Sequence, residues 1–423
     1  MRRSASERRS AAASRSGERR RLLTWLFVSG GLAAACGAGG ALGAVRAADE
    51  RAKGTPLGAF RLFSEWDVHS GLDDNVFKEA VDAREDLYGE AGASFRLASE
   101  WVRHDLQLTA DLRSRWYDDY SNEDSTNWLV AAKGRLDVRR SFKMLGEVSS
   151  AQMHEDRASP NAAANTKYPT EFSVFHARGD AVLQPNRLGF SVTGLINRYD
   201  FTDNELLSGV LVDNRYRDHD HTRLSSKFFY DFSPGYTGFV TAAYDRRAYD
   251  VSAGGGGNRN SRGYFAGGGL SLKLAALLQG ELSLGYLSHD FSGTFEDFSG
   301  LSYGGSLEWE ATPRATVRLD ASRELHVTTI ADVSAVDDQE LGASLSVEIL
   351  RNLTARADIS YLNSAYVGTD RTDQTHEVGA ALVYFVGHQL SATTQYLHRE
   401  RSSPVATQNY VENKIDVSVQ IGF

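Results

Sequence analysis

From Lys414 onward the chain alternates strictly, with Ile415, Val417, Val419, Ile421 and Phe423 on one parity and Lys414, Asp416, Ser418 and Gln420 on the other. A period of two is the mark of a strand with one apolar and one polar face. The same alternation recurs along the chain. Leu353, Ala355, Ala357, Ile359 and Tyr361 oppose Thr354, Arg356, Asp358 and Ser360, and Ala315, Val317, Leu319 and Ala321 oppose Thr316, Arg318, Asp320 and Ser322. Leu106, Leu108, Ala110 and Leu112 alternate with Gln107, Thr109, Asp111 and Arg113, and Leu301, Tyr303, Leu307 and Trp309 with Ser302, Ser306, Glu308 and Glu310. Charges of both signs on the polar parity suit a soluble sandwich core badly. They suit a barrel whose interior is wet and whose outside meets lipid.

The connections fall into two alternating kinds. Arg139-Arg140-Ser141, Pro185-Asn186, Ser233-Pro234-Gly235, Thr312-Pro313-Arg314, Arg351-Asn352 and Gly387-His388 read as tight turns, where Pro, Gly and Asn supply the backbone geometry. Between them lie longer polar loops at 70–85, 118–125, 155–169, 202–219, 251–261, 292–298, 328–336, 367–371 and 401–408. Nine long loops and eight short turns make an all-β, single transmembrane antiparallel up-and-down β-barrel of about 18 strands, with 16 or 20 as neighbouring counts. In such barrels the short turns are periplasmic and the long loops extracellular, which puts both termini in the periplasm. Aromatic girdles are expected from Trp101, Trp128, Phe232, Tyr236, Trp309, Tyr384 and Phe423 near short turns. Trp116, Tyr117, Tyr199, Phe201, Tyr249 and Tyr366 would serve the long-loop side. Ile421 and Phe423, closing the last alternating strand, resemble the C-terminal signal by which outer-membrane barrels are recognised for insertion.

Residues 1–47 read as a signal peptide. A basic region ends in Arg19-Arg20-Arg21, an apolar run follows from Leu22 to Val28, and Val45-Arg46-Ala47 offers small residues for cleavage between Ala47 and Ala48. The apolar run is short and rich in Gly and Ala, a poor membrane-spanning helix. The Arg pair also admits a twin-arginine reading, though an ordinary basic leader suits a barrel better. The sole cysteine, Cys36, lies inside this leader, without the aliphatic residue a lipoprotein box wants, so disulfides and thiolate metal sites are closed to the mature chain. Residues 48–57 are expected as a short periplasmic segment and 58–423 as the barrel. The leader carries nine Arg and two Glu, so 37 basic and 53 acidic residues remain beyond it, a balance near −16. Such a balance argues against a nucleic-acid partner.

Few motifs carry chemistry. His154-Glu155-Asp156-Arg157 offers a metal or saccharide site, against the plainer reading of a solvated acidic loop with a local Arg–carboxylate pair. Asp218-His219-Asp220-His221 has ligand-like residues, but contiguous loop residues rarely form a preorganised shell. Gly254-Gly255-Gly256-Gly257 lacks the helix start and Lys-Ser/Thr pair of a phosphate cradle. An outer-membrane hydrolase could be assembled around His289 beside Asp290 or His398 near Glu400, but no nucleophile motif accompanies them. The expectation is therefore no enzyme, no cofactor and no metal.

Several stretches together resemble the putative β-barrel porin 2 family of proteobacterial outer-membrane proteins. They are Gly71-Leu72-Asp73-Asp74-Asn75-Val76-Phe77, His154 to Pro160, Asn197-Arg198-Tyr199-Asp200-Phe201, Ser233-Pro234-Gly235-Tyr236, Tyr244 to Asp250, Ala311-Thr312-Pro313 and Leu350-Arg351-Asn352-Leu353. The resemblance spans nearly all of 58–423 and implies an outer-membrane barrel, often associated with exopolysaccharide loci. It supplies no catalytic motif. The expected function is a pore for a polar solute such as exopolysaccharide or its fragments, its lumen lined by Arg113, Arg115, Glu308, Glu310, Arg318, Asp320, Arg356, Asp358 and Asp416. The alternative is a non-conducting docking barrel whose loops bind surface polysaccharide, with an outer-membrane hydrolase more remote. Expected partners are outer-membrane lipid and lipopolysaccharide, the barrel-insertion machinery, and polysaccharide or export partners.

Overall fold

The computed structural model describes residues 53–163, 165–250, 258–274 and 277–423. The leader and its Ala47–Ala48 cleavage point lie outside them, as does the Gly254–Gly257 run. Eighteen long antiparallel strands make the body. In chain order they are β1 Phe60–Asp73, β2 Asp86–Ser99, β3 Asp105–Tyr117, β4 Ser125–Arg139, β5 Phe142–His154 and β6 Glu171–Leu183. β7 Leu188–Phe201, β8 His219–Ser233, β9 Tyr236–Tyr249, β10 Ser261–Leu274, β11 Leu278–Phe291 and β12 Phe298–Thr312 follow. The last six are β13 Ala315–Val327, β14 Ala335–Leu350, β15 Leu353–Tyr366, β16 Thr372–Val386, β17 Leu390–Ser402 and β18 Tyr410–Gly422.

Each strand pairs with its neighbours in sequence, and β18 returns to β1 through Glu65↔Gly422 to Asp73↔Lys414. Ser64 and Phe423 then exchange backbone hydrogen bonds of 3.2 and 2.8 Å. Closure leaves no sheet edge, so the strand backbone is satisfied internally, as an apolar solvent demands. The strand count, the alternation of short turns with long loops, and the placing of both strand-bearing ends at the short-turn side all agree with the sequence reading. Thr55–Leu57 folds back on the start of β1 as a small hairpin. Among the described residues no helix is long and apolar enough to cross a membrane.

Local sequence explains the turns. In the β8–β9 connection Pro234 precedes Gly235, whose φ is +86° and whose missing Cβ would stand 2.4 Å from the Lys273 carbonyl oxygen. Glycine is required there on both counts. The outer face carries the apolar parity: Val68, Leu112, Val148, Leu224, Leu284, Leu319, Ile359 and Val417 are all exposed. A charge on such a face at mid-bilayer depth costs about 2–4 kcal/mol, which keeps the pattern apolar.

The girdle assignments need two corrections. Trp128 lies near the start of β4, at the long-loop end. Tyr117, Tyr199, Phe201, Tyr249 and Tyr366 have inward parity, because each is an odd number of residues from its strand's outward apolar set. Trp116, Phe175, Tyr244, Tyr264 and Tyr286 are among the exposed rings on the outward face toward that end.

Candidate functional site

The connection between β5 and β6, residues 155–170, does not project away from the barrel. It runs across the long-loop mouth and is fastened along its length. The Glu155 carboxylate accepts two hydrogen bonds, 3.0 and 2.7 Å, from the Arg217 guanidinium of the β7–β8 connection. Arg157 makes a bidentate pair with Glu123 of the β3–β4 connection, 2.9 and 2.6 Å, and also donates to Thr166. Fork-to-fork pairs of this kind fix orientation as well as adding energy. Arg401 of β17 donates to the Ala158 carbonyl at 2.7 Å. Asn161 Oδ1 accepts from Thr328 Oγ1 at 2.6 Å and from the Thr329 backbone N–H at 3.0 Å. Thr328 follows β13, eight strands around the ring from β5, so this contact joins connections that arise on nearly opposite sides of the ring. The returning leg is held by the β7–β8 connection, with Lys167 N–H donating to Glu205 O at 2.7 Å and Leu207 N–H to Asn165 O at 2.9 Å.

Asp156 settles beside a basic wall. Burial alone would push its carboxyl up, but Lys78, Lys414 and Arg399, together with the Ala158 N–H donated to it, bring it down to about 2. The contribution of this charge to docking the strap is therefore fully present above its ordinary value of 3.8 and is lost as pH falls toward about 2. Amide hydrogen exchange of residues 156–163, corrected for its intrinsic pH dependence, should accordingly stay flat from neutral pH down to about 4 and rise only on further acidification. A rise that begins near pH 6 would mean that Asp156 does not hold the strap.

The strap lies over the inner wall where the barrel closes, which carries two ion-pair clusters one below the other. Lys78, from the β1–β2 connection, reaches Asp73 at 3.1 Å and Glu412 at 2.9 Å, and Lys414 reaches the same two carboxylates. Burial holds the Lys78 ammonium below its usual range, and Lys414 adds to this while Glu412 and Asp73 oppose it. Arg399 links Glu412 at 3.5 Å to Glu377 at 2.7 Å. Lower on the same wall His69 stands between Asp67 and Asp416, at 3.0 and 3.1 Å. Arg113 bridges Asp67 and Glu90, and Arg115 pairs with Glu90 at 2.7 Å. Tyr88 donates to Asp416 at 3.1 Å across Gly71, where a Cβ would come within 2.6 Å of the tyrosine ring. Asp67, His69 and Glu90 have the spacing of a metal site, but the cation among them is the Arg113 guanidinium, with Nη1 3.5 Å from His69 Nε2.

Three of the sequence-selected lining residues, Arg113, Arg115 and Asp416, thus belong to the lower cluster. The other six lie on the inward parity of β12, β13 and β15. Arg318 pairs with Asp320 at 2.8 Å, Glu308 accepts from Gln279 at 2.6 Å, and Asp358 lies against Gly379. The side chains of Glu310 and Arg356 have no hydrogen-bond or ion-pair partner among the described residues. Cross-strand register adds carboxylates that sequence reading passed over: Glu324 opposite Asp338, Glu340 opposite Ser322, and Glu377 opposite Ser360. Mixed-sign pairs also line the wall away from the closing seam, Lys133–Glu147, Arg178–Asp180 and Lys227–Glu281 among them, whereas the β12–β16 wall is predominantly acidic.

The histidine motifs are divided by strand parity. His219 and His221 point inward and Asp220 outward. His219 stacks between Tyr199 and Tyr249, with centroids 4.8 Å from each. His154 bonds Asn127 at 3.0 Å, and Arg157 beside it reaches Glu123 instead of a local carboxylate. His289 turns away from Asp290 and lies 3.0 Å from Ser261 Oγ and 3.9 Å from Asp245. With His289 and Ser261 at 1% and 3% exposure, that group is a closed wall contact. His398 bonds Asn413 at 2.8 Å.

A family model described as putative beta-barrel porin 2 matches residues 50–423. No curated protein matches the sequence. Among solved structures, OpdO of Pseudomonas aeruginosa is 15% identical over 86% of this chain and 97% of that one, with a TM-score of 0.46. OccK2 (OpdF) of the same organism, solved in complex with glucuronate, is 10% identical over 87% and 99%, with a TM-score of 0.47. The siderophore receptor PirA of Acinetobacter baumannii is 9% identical over 86% and 80%, with a TM-score of 0.46.

Proposed function

The chain belongs to the putative beta-barrel porin 2 family, which makes it an outer-membrane, porin-like β-barrel, and from that premise we propose that it is a constricted channel for small polar solutes. The observation that carries this reading is the strap from Glu155 to Thr170, drawn across the mouth of an 18-stranded lumen. A lumen of that strand count is wide enough for an aqueous path, and the strap divides it. Saccharide fragments fit this reading better than a passing polymer, which would have to displace Asn161 from Thr328. Arg318, Asp320, Arg356, Asp358, Glu308 and Glu310 line the path on one side, and Arg113, Arg115 and Asp416 on the other. The acidic β12–β16 wall favours cations, as carboxylate rings do in cation channels.

Single-channel recording of the purified chain in a planar bilayer tests this directly. Discrete steps are expected, with a reversal potential displaced toward that of potassium under a potassium chloride gradient. Replacing Glu340 and Asp358 by Gln and Asn should reduce that displacement. A barrel that inserts and stays silent would sink the channel reading.

The firm pinning of the strap favours one second reading, a docking barrel whose long-loop surface holds surface polysaccharide or an export partner. A silent barrel that binds polysaccharide would support it.

A further inference from the structure

Near its long-loop end the outer face of the barrel carries two cations that face each other. Arg246 of β9 and Arg262 of β10 occupy directly opposed positions in the antiparallel register, and both are outward and exposed. Like charges directly opposite one another destabilise a strand pair. Their neighbours in the same row are Thr222 of β8 and Asp290 of β11. Asp290 makes no ion pair with Arg262, and among the described residues neither guanidinium has a hydrogen-bond or ion-pair partner. The outward Arg198 nearby is different, being held by Asp200, Asp220 and Asp250.

Depth gives the pair its meaning. One row toward the middle of the barrel, Tyr244 and Tyr264 face each other with ring centroids 5.3 Å apart, and both are exposed. Below them come Tyr286 and Leu284, also exposed. Tyrosines on a lipid-facing surface settle at headgroup level. Successive rows on one face are about 6–7 Å apart, so the guanidiniums stand just beyond the rings, at phosphate depth. Directly opposed Cβ atoms are about 5 Å apart, which lets two forks close on one phosphate group.

We propose that Arg246 and Arg262 form a binding site for a phosphate of the outer-leaflet glycolipid, whose charge replaces the missing carboxylate partner. The choice of leaflet rests on reading the long-loop end as extracellular. The chemistry of the site itself is independent of channel activity.

The test measures thermal unfolding of the purified full chain in detergent with added diphosphoryl lipid A, dephosphorylated lipid A, phosphatidylglycerol or inorganic phosphate. Diphosphoryl lipid A is expected to raise the unfolding temperature by several degrees and the other three to do much less. The R246Q/R262Q chain should lose that shift. Without lipid it should unfold no earlier than the parent, because the like-charge contact is relieved. Retention of the heat-modifiable gel shift shows that it has folded. An equal shift in the double variant, or an equal response to inorganic phosphate, overturns the site. An equal response to phosphatidylglycerol overturns the glycolipid as its occupant. The leaflet is tested separately with an Asp370→Cys chain, since Cys36 in the leader is the only cysteine of the sequence. Labelling by an impermeant maleimide on intact cells supports the extracellular end, and labelling only after lysis overturns it.

Discussion

Removing residues 157–163 and closing the gap with a short glycine linker is expected to raise single-channel conductance several-fold. The segment enters the mouth from β5 and meets the connection from the far side of the ring at Asn161, against Thr328 and Thr329. Its near end is held by the Arg157–Glu123 fork. The cut removes these two fastenings and the Arg401 bond to Ala158, keeps the Glu155–Arg217 fork, and leaves the barrel strands untouched, so the heat-modifiable gel shift should persist. Asn161→Ala alone should give a smaller rise with increased current noise, because the far end would then be free to move while Arg157 stays in place. A deletion that folds and conducts like the parent would show that the narrowest point lies elsewhere in the lumen.

The largest loss of stability is expected from Glu412→Ala. Glu412 is fully buried, with Lys78 at 2.9 Å, Lys414 against it and Arg399 at 3.5 Å. Deleting one member of a buried ion network strands the others, at a cost of about 3–5 kcal/mol. Here the two lysines would be left sharing Asp73, itself fully buried, while Arg399 keeps Glu377. The temperature at which the folded gel form converts to the unfolded one should drop markedly. Adding Lys78→Met to the Glu412→Ala chain should recover part of the loss, since it removes a charge that has lost its partner. Equal losses in the single and double variants would show that water, rather than Glu412, satisfies Lys78.

Most of the barrel was legible in the sequence because its physics is local. Parity along Lys414–Phe423 sets which side of β18 meets lipid, and Pro234-Gly235 sets where a hairpin turns, with no knowledge of the rest of the chain. The strap was not legible. Residues 155–169 have the length and polarity of a solvated loop, and Arg157 sits beside Glu155 and Asp156 as though it would pair with them. Its actual partner is Glu123, and that of Glu155 is Arg217, each brought near only once the ring has closed. Tyr199, Tyr249 and Tyr366 failed as girdle residues for a related reason. Position along a strand gives depth, while facing depends on counting parity to the strand's end. The inward set Arg113, Arg115 and Asp416 was found by parity, but their partners His69, Glu90 and Asp67 became visible only through the β1–β2–β3 register.

A closed ring of hydrogen-bonded strands is stiff along its strands and compliant across them, much like a hoop that flattens under a sideways squeeze. The segment from Glu155 to Asn161, joined at Thr328 to the β13–β14 connection, ties points of that hoop that lie nearly opposite. A tie of this kind works against flattening along its own line and leaves the perpendicular direction free. Under lateral pressure from the bilayer the cross-section should therefore deform along one axis only. Lipids that thicken or compress the membrane would then modulate the bore through its shape, with no change in any residue that a solute touches.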